Sequence, residues 1–495
     1  MIRIEHTNWT YPHAEQSSLR NLDLQISAGE FVILCGASGS GKSTALRLMN
    51  GLVPHFHDDG TLTGTVTVGG MITADTELDA IGLLTGTVLQ HPRRQFFTDS
   101  VPEEVAFAME NFGVAPEEIR NRVTTAVADL SEGVPVGQRL RDLSGGQQQQ
   151  VAITAATAHR PHLLLLDEPS SNLSADAVRR LTATLAELKA RGVTIVVAEH
   201  RLRYLEDLVD RVIVMRDGAI DVEWTAAQFR AVPDDELARE GLRGVVAAVQ
   251  LPVLPAAGPS IAGGIDASDV PEGQLELEAI RCRLGGRVVL DIDRIAFAAG
   301  TVTAIRGVNG AGKSTLARIV TGLQRSTGVV RLDGKALGAR ARQRASAIVM
   351  QDVQRQLFTD SVHAEIDLAA LHTRAPQTEG ILAALDLADL AERHPLSLSG
   401  GQQQRLVVAA VRVAGRRIVV FDEPSSGVDR RHLQSISDQI RRVAEDGSIV
   451  LLISHDDDLL ALAADRQLTL TSAVPEPVSG VVAEATQSMS SKETR

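Results

Sequence analysis

Apolar and polar positions alternate along this chain in two ways. Segments such as Ile2–Tyr11 (IRIEHTNWTY) and Leu22–Ile26 (LDLQI) switch between apolar and polar residues and predict half-buried strands. Short, wholly apolar runs, FVILC ending at Cys35 and LLLL before Asp167, predict strands buried on both faces, and TIVVAEH ending at His200 repeats that design. Residues 44–52 (TALRLMNGL), 116–129 and 151–160 (VAITAATAHR) predict helices. The expected fold is α/β, with a mainly parallel core sheet, an antiparallel β flank and a helical subdomain in each of two units.

The pattern occurs twice. GASGSGKST (residues 36–44) returns as GVNGAGKST (residues 307–315), each matching the phosphate-binding pattern G-x-x-x-x-G-K-[ST]. Each copy is followed in the same order by a glutamine (Gln90, Gln351), LSGGQ (residues 143–147, 398–402), an apolar run ending in Asp-Glu-Pro, and a histidine (His200, His455). The last three features keep an offset of 255 (399 − 144, 423 − 168, 455 − 200), whereas the lysines differ by 271 (313 − 42). The first unit therefore holds extra residues between its phosphate loop and LSGGQ, and the stretch HFHDDGTLTG after Pro54 is a place for some of them. The organisation expected is two units at 1–250 and 274–473, a flexible Pro/Gly/Ala-rich linker at 251–273 and a disordered tail at 474–495.

A glycine-rich loop entering a helix offers backbone N–H groups and a favourable dipole to a phosphate chain. The candidate cradles are Gly36, Ser38, Gly39, Gly41, Lys42, Ser43 and Thr44, and Gly307, Asn309, Gly310, Gly312, Lys313, Ser314 and Thr315. Lys42 and Lys313 are expected to reach the β- and γ-phosphates of ATP, and Ser43 and Ser314 to ligate Mg²⁺. Asp167 and Asp422, at strand ends, suit the same cation through water; Glu168 and Glu423, one residue on, suit the orientation of an attacking water. In LSGGQ, Ser144, Gly145, Gly146 and Gln147, and Ser399, Gly400, Gly401 and Gln402, begin a helix whose donors point outward, towards a nucleotide held by another unit.

With these residues together, the chain resembles the ATP-binding-cassette (ABC) family over nearly everything except linker and tail. The resemblance implies two cassettes closing head to tail on two ATP molecules. One site would use Lys42, Ser43, Gln90, Asp167, Glu168 and His200 with Ser399–Gln402 opposite. The other would use Lys313, Ser314, Gln351, Asp422, Glu423 and His455 with Ser144–Gln147 opposite. It implies that His200 and His455, each 32 residues after its glutamate, are switch histidines contacting the γ-phosphate. It also implies that Gln90 and Gln351 contact Mg²⁺ and the attacking water. Two departures point to unequal sites. Tyr11 fits the family's adenine-stacking aromatic, but the second unit has CRLGGR there, so either Arg283 or Arg287 stacks instead or that unit binds nucleotide more weakly. The loop after Asp-Glu-Pro ends in Asp429 in the second unit and in Ser174 in the first. Because that loop reaches across the dimer, the site built on Lys313 is expected to hydrolyse less well.

Arg93–Phe107 (RRQFFTDSVPEEVAF) and Gln354–Leu368 (QRQLFTDSVHAEIDL) both keep Q-[FL]-F-T-D-S-V followed by an acid. This looks like the ATPases of energy-coupling-factor (ECF) importers, as do NGLVPHF (50–56) and AEHRL (198–202). The resemblance implies a groove for helices of a transmembrane coupling subunit, a separate substrate-binding membrane protein, and Asp99, Glu104, Asp360 and Glu365 as candidate partners for that subunit's arginines. His55 and His57 lack a third metal ligand in view. Two alternatives stand. One is a tandem-cassette sugar importer ATPase, of similar length but fitting the doubled F-T-D-S-V stretch less well. The other is a soluble ribosome-binding tandem-cassette translation factor, a class that normally joins its domains by a long, charged helical linker where this chain has a short Pro/Gly-rich one.

Charge and composition narrow the field. A net charge of −13 argues against a nucleic-acid-binding surface, and the linker is not basic. Two distant cysteines exclude a disulfide framework and fit a reducing cytoplasm. The start MIRIEHTNW lacks a signal pattern, and no apolar run reaches ~18 residues. The expected place is the cytoplasmic face of a membrane, with spanning helices supplied by other chains.

Overall fold

A computed structural model describes the chain except for residues 13, 15, 58, 132, 172, 244–248, 264, 271–272, 309, 351–352, 372–377, 426–429 and 473–495. Asn309, Gln351, Asp429 and the expected tail at 474–495 thus lie outside the described residues.

The wholly apolar runs form the core sheets. In the first half the order is Ala219–Thr225, Arg211–Arg216, Phe31–Cys35, Thr194–Ala198, Leu163–Asp167, Thr85–Val88. All neighbours are parallel except the first pair. In the second half Ser346–Val349, Ile418–Asp422, Ile449–Ile453, Val302–Arg306 and Arg466–Thr469 repeat five of these positions, all parallel. Phe31–Cys35 and Ile449–Ile453 are buried at every residue, as strands covered on both faces must be. Burial also pushes the Cys35 thiol up to about 12, so it packs as a small apolar group.

The alternating segments form the antiparallel flanks. Ile2–Thr10 lies between Leu19–Ile26 and Thr61–Val68; Leu275–Leu284 lies between Arg287–Phe297 and Val329–Leu332. Helix Pro116–Ser131 covers the predicted 116–129, Lys42–Met49 takes most of 44–52, and Gly145–Thr157 ends short of the predicted residue 160.

The structure differs from expectation at the linker. Leu254 N–H donates to Gln467 O (2.7 Å), Gln467 N–H to Pro252 O (2.8 Å) and Thr471 N–H to Ser260 O (2.8 Å). Ala256–Ala257 pairs with the flank strand Arg287–Phe297, and Leu254, Ala256 and Ile261 are buried in the second core. The segment is a strap. It runs along the sheet edge that Ala219–Thr225 occupies in the first half, supplying partners to an otherwise open edge. Its Pro/Gly content hid the spaced apolar residues that anchor it.

Candidate functional site

Each phosphate loop leaves a parallel strand and enters a helix, Lys42–Met49 or Lys313–Val320. Gly36 and Gly307 have φ of +137° and +143°, and a Cβ there would stand 2.1 Å from Met215 O or 2.4 Å from Leu470 O. Only glycine lets the loop turn this close to the neighbouring strand end. Space around Gly39 and Gly310 is open, with no atom within 4 Å of an added Cβ, so the cradle can admit phosphate oxygens.

Lys42 Nζ folds back to Gly36 O (2.9 Å) and Ala37 O (2.9 Å); Lys313 Nζ does the same to Gly307 O (2.7 Å) and Val308 O (3.2 Å). Ser43 Oγ donates to Asp167 Oδ1 (2.9 Å) and Ser314 Oγ to Asp422 Oδ2 (3.1 Å). A hydroxyl and a carboxylate at that spacing beside the cradle are the oxygen donor set Mg²⁺ prefers, so these residues fit ATP with its cation. Burial raises Asp167 to about 6 and also raises Asp422.

Glu168 and Glu423 sit at strand ends in left-handed backbone, φ +46° and +53°. Such strain costs about 1–3 kcal/mol per residue and collects at functional sites. Their surroundings differ. Glu168 accepts from Gln90 Nε2 (2.7 Å) and meets His200 Nε2 at 3.1 Å. Burial pushes its pKa up, but His200, Lys42 and Gln90 outweigh burial and leave it below the ordinary value. Glu423 accepts from Ser454 Oγ and His455 N–H, both at 3.3 Å, while His455 Nε2 stands 3.9 Å away. Burial, reinforced by Asp422, raises Glu423 to about 8, and burial with Lys313, Arg306 and Arg201 lowers His455 to about 4.

The LSGGQ residues cap helices. Ser144 Oγ accepts from Gln147 N–H and the Gln147 side chain accepts from Ser144 N–H; Ser399 and Gln402 repeat this capping box. Their side chains are thereby engaged, and Gly145 and Gly400 present the exposed backbone. Gly146 is required for packing, since a Cβ would stand 2.7 Å from Ala177 Cβ.

Tyr11 lies edge-on to Trp9 and His57 and its hydroxyl is 3.3 Å from Thr44 Oγ1, which places the ring beside the first cradle. Arg283 and Arg287 are exposed at the tip of the corresponding hairpin. His55 bonds Thr73 O, and no group of three metal-ligating side chains occurs among the described residues.

Two acids need correction. Glu104 and Glu365 are not available to a partner's arginine. Both are only 5% exposed, and each carboxylate accepts from two backbone N–H groups and a threonine hydroxyl of its own loop. The donors are Phe97, Thr98 and Thr98 Oγ1 (3.0, 3.0 and 2.9 Å), and Phe358, Thr359 and Thr359 Oγ1 (3.1, 3.1 and 2.8 Å). The clamp turns Phe97 (73% exposed) and Phe358 (77%) outward, while Phe96 and Leu357 pack inward. Asp99 and Asp360 remain exposed. Also unforeseen were Gln148 and Gln403, buried on the LSGGQ helices. They bond Arg93 (2.9 Å) and Gln354 (3.0 Å), linking those helices to the two aromatic loops. The matching run of glutamines after each LSGGQ was the available signal.

A family model described as ABC transporter matches residues 19–171 and again 290–426. A Treponema denticola protein named "Putative ABC transporter ATP-binding protein" is 37% identical over 476 residues, 95% of each chain. A Methanosarcina acetivorans protein of the same name is 29% identical across 95% of this chain and 84% of its own. A solved structure titled RNase-L Inhibitor covers 94% of this chain and 87% of its own at 21% identity and a TM-score of 0.57, a likeness of fold.

Proposed function

Because this chain belongs to the ABC transporter family, and so binds ATP with Mg²⁺ and hydrolyses it, we propose that it powers an importer of the energy-coupling-factor type. The cargo class is a vitamin, a vitamin precursor or a transition-metal ion. No helix among the described residues is long and apolar enough to cross a membrane, so in this reading the spanning helices belong to a coupling subunit and a substrate-binding membrane protein. The chain works at the cytoplasmic face.

In the first site Lys42 unfolds from its loop carbonyls to hold the β- and γ-phosphates. Ser43 and Asp167 would hold Mg²⁺, which would supply charge neutralisation at the phosphates. Glu168 accepts a proton from the attacking water and Gln90 and His200 fix its two oxygens, with His200 also facing the γ-phosphate. Lys313, Ser314, Asp422, Glu423, Gln351 and His455 take these roles in the second. Gly145 and Gly400 offer helix-start N–H groups to the γ-phosphate across the pair.

The observation that carries the importer reading is the doubled aromatic loop. Phe97, stacked on Phe107 with ring centroids 4.7 Å apart, and Phe358 stand outward on loops clamped by a buried carboxylate and tied to the LSGGQ helix. Exposed aromatics on a rigid loop suit apolar coupling helices.

The test is affinity purification from detergent-solubilised native membranes, comparing wild type with Phe97→Ser/Phe358→Ser. Co-purification of a multi-helix coupling protein and a second membrane protein, lost in the variant, is expected. Ribosomes without a membrane protein would contradict the importer and leave the ATPase.

A further inference from the structure

Asp456 follows His455, yet its carboxylate points into the other half. Asp456 Oδ2 accepts from Arg243 at 2.5 Å and lies 3.3 Å from Arg201. Asp456 and Arg243 are each 3% exposed, so both charges are withdrawn from water. Arg201 follows His200 directly, and Arg243 N–H donates to the His200 carbonyl (3.1 Å). On the other side Asp456 N–H donates to Ser454 Oγ (3.0 Å), and Ser454 Oγ donates to Glu423 Oε2 (3.3 Å). A continuous hydrogen-bonded path therefore runs from the backbone of His200 to the carboxylate of Glu423. Burial alone would raise the Asp456 pKa, but Arg243 and Arg201 outweigh it and hold the group well below the usual carboxylate range.

Among the described residues the arrangement has no symmetric copy. The residue matching Asp456 is Arg201 and the residue matching Ser454 is Glu199, whose carboxylate turns inward to Ser170 N–H, His200 N–H and Tyr204 Oη. One ion-pair cluster thus touches residues of both sites.

We infer that Asp456, Arg201 and Arg243 form a cross-link that positions the two switch loops together, so that each ATP site registers the state of the other. They are positioning residues acting through His200 and Glu423. A buried pair is poor at adding net stability, but removing one partner leaves an uncompensated charge, which suits it to fixing register. Arg201 in place of a second aspartate would set like charge against like if two first halves met, so the cross-link also selects first half against second.

The inference rests on the assignment of the histidines as switch residues, and the experiment separates the two. Steady-state hydrolysis by the full chain is measured against ATP concentration for wild type, His200→Ala, His455→Ala, Asp456→Asn and Arg243→Met/Asp456→Leu. Expected are a wild-type Hill coefficient above 1 and a value near 1 in both cross-link variants. Their kcat should fall about 10- to 100-fold, as sub-ångström to ångström misplacement produces, with KM much less affected. The apolar double variant removes the two fully buried charges together and leaves only Arg201, which at 32% exposure can turn to water, so its fold is expected to survive even where Asp456→Asn does not. A folded variant of either kind that keeps the wild-type Hill coefficient and kcat overturns the cross-link, as does a wild-type Hill coefficient of 1. Unchanged turnover in both histidine variants would instead remove the histidine assignment and the inference with it.

Discussion

The two halves carry the same motifs in the same order, yet their glutamates sit in opposite electrostatic settings. Glu168 is gripped by Gln90 and His200 and stays below the ordinary carboxylate pKa; Glu423 rests on Ser454 and a backbone N–H and rises to about 8. The cause lies in how the motif partners sit. His200 Nε2 stands 3.1 Å from Glu168 and, with Lys42 and Gln90, outweighs burial, whereas His455 Nε2 stands 3.9 Å from Glu423 and Asp422 adds to burial. A repeat can preserve the chain path that brings groups together while small differences in distance set how each is charged.

The largest expected effect tests that difference at the glutamates. Glu168→Gln should lower steady-state ATP turnover by about 10²- to 10⁴-fold, the range for loss of a positioned acid–base group. Glu423→Gln should lower it clearly less, and equal losses would break the comparison. A second contrast concerns the sheet edges. Leu254→Ala should destabilise the second half by about 2–5 kcal/mol, read from calorimetric unfolding, because it opens a cavity where the strap is anchored. Val222→Ala on the partly exposed edge strand of the first half should cost well under that.

Next is pH. The folded His455 is lowered to about 4 from 6.5, so the unfolded chain binds this proton more readily. Its contribution is present above about pH 6.5 and is lost as pH falls towards 4, by roughly 1–3 kcal/mol. His455→Gln should flatten that part of the thermal-stability profile of the nucleotide-free protein, and an unchanged profile would refute the burial argument. The smallest effect belongs to the base-stacking platform. Tyr11→Ala should weaken ATP binding about 3- to 10-fold, the worth of one aromatic contact, in a nucleotide titration. Arg283→Ala and Arg287→Ala should do less.

Much of this was legible in the sequence because phosphate chemistry is local. A glycine loop, a lysine and a following hydroxyl bind within one turn of chain, and the acid pair ends an apolar strand that marks itself. Side chains whose partners are distant were not legible. Glu104 and Glu365 read as surface acids, since nothing local says that the following helix turns each carboxylate back onto its own loop. Leu254 and Ile261 read as linker because their partners, Gln467 and Leu470, lie some 200 positions away. Asp456 carried no signal in the sequence, for its arginines belong to the other half.

The most direct test of unequal sites is a rapid-quench single-turnover measurement of ATP hydrolysis on the full chain with both sites filled. The structure predicts two phases of similar amplitude, the faster abolished by Glu168→Gln and the slower by Glu423→Gln. A single phase, removed equally by either substitution, would contradict it.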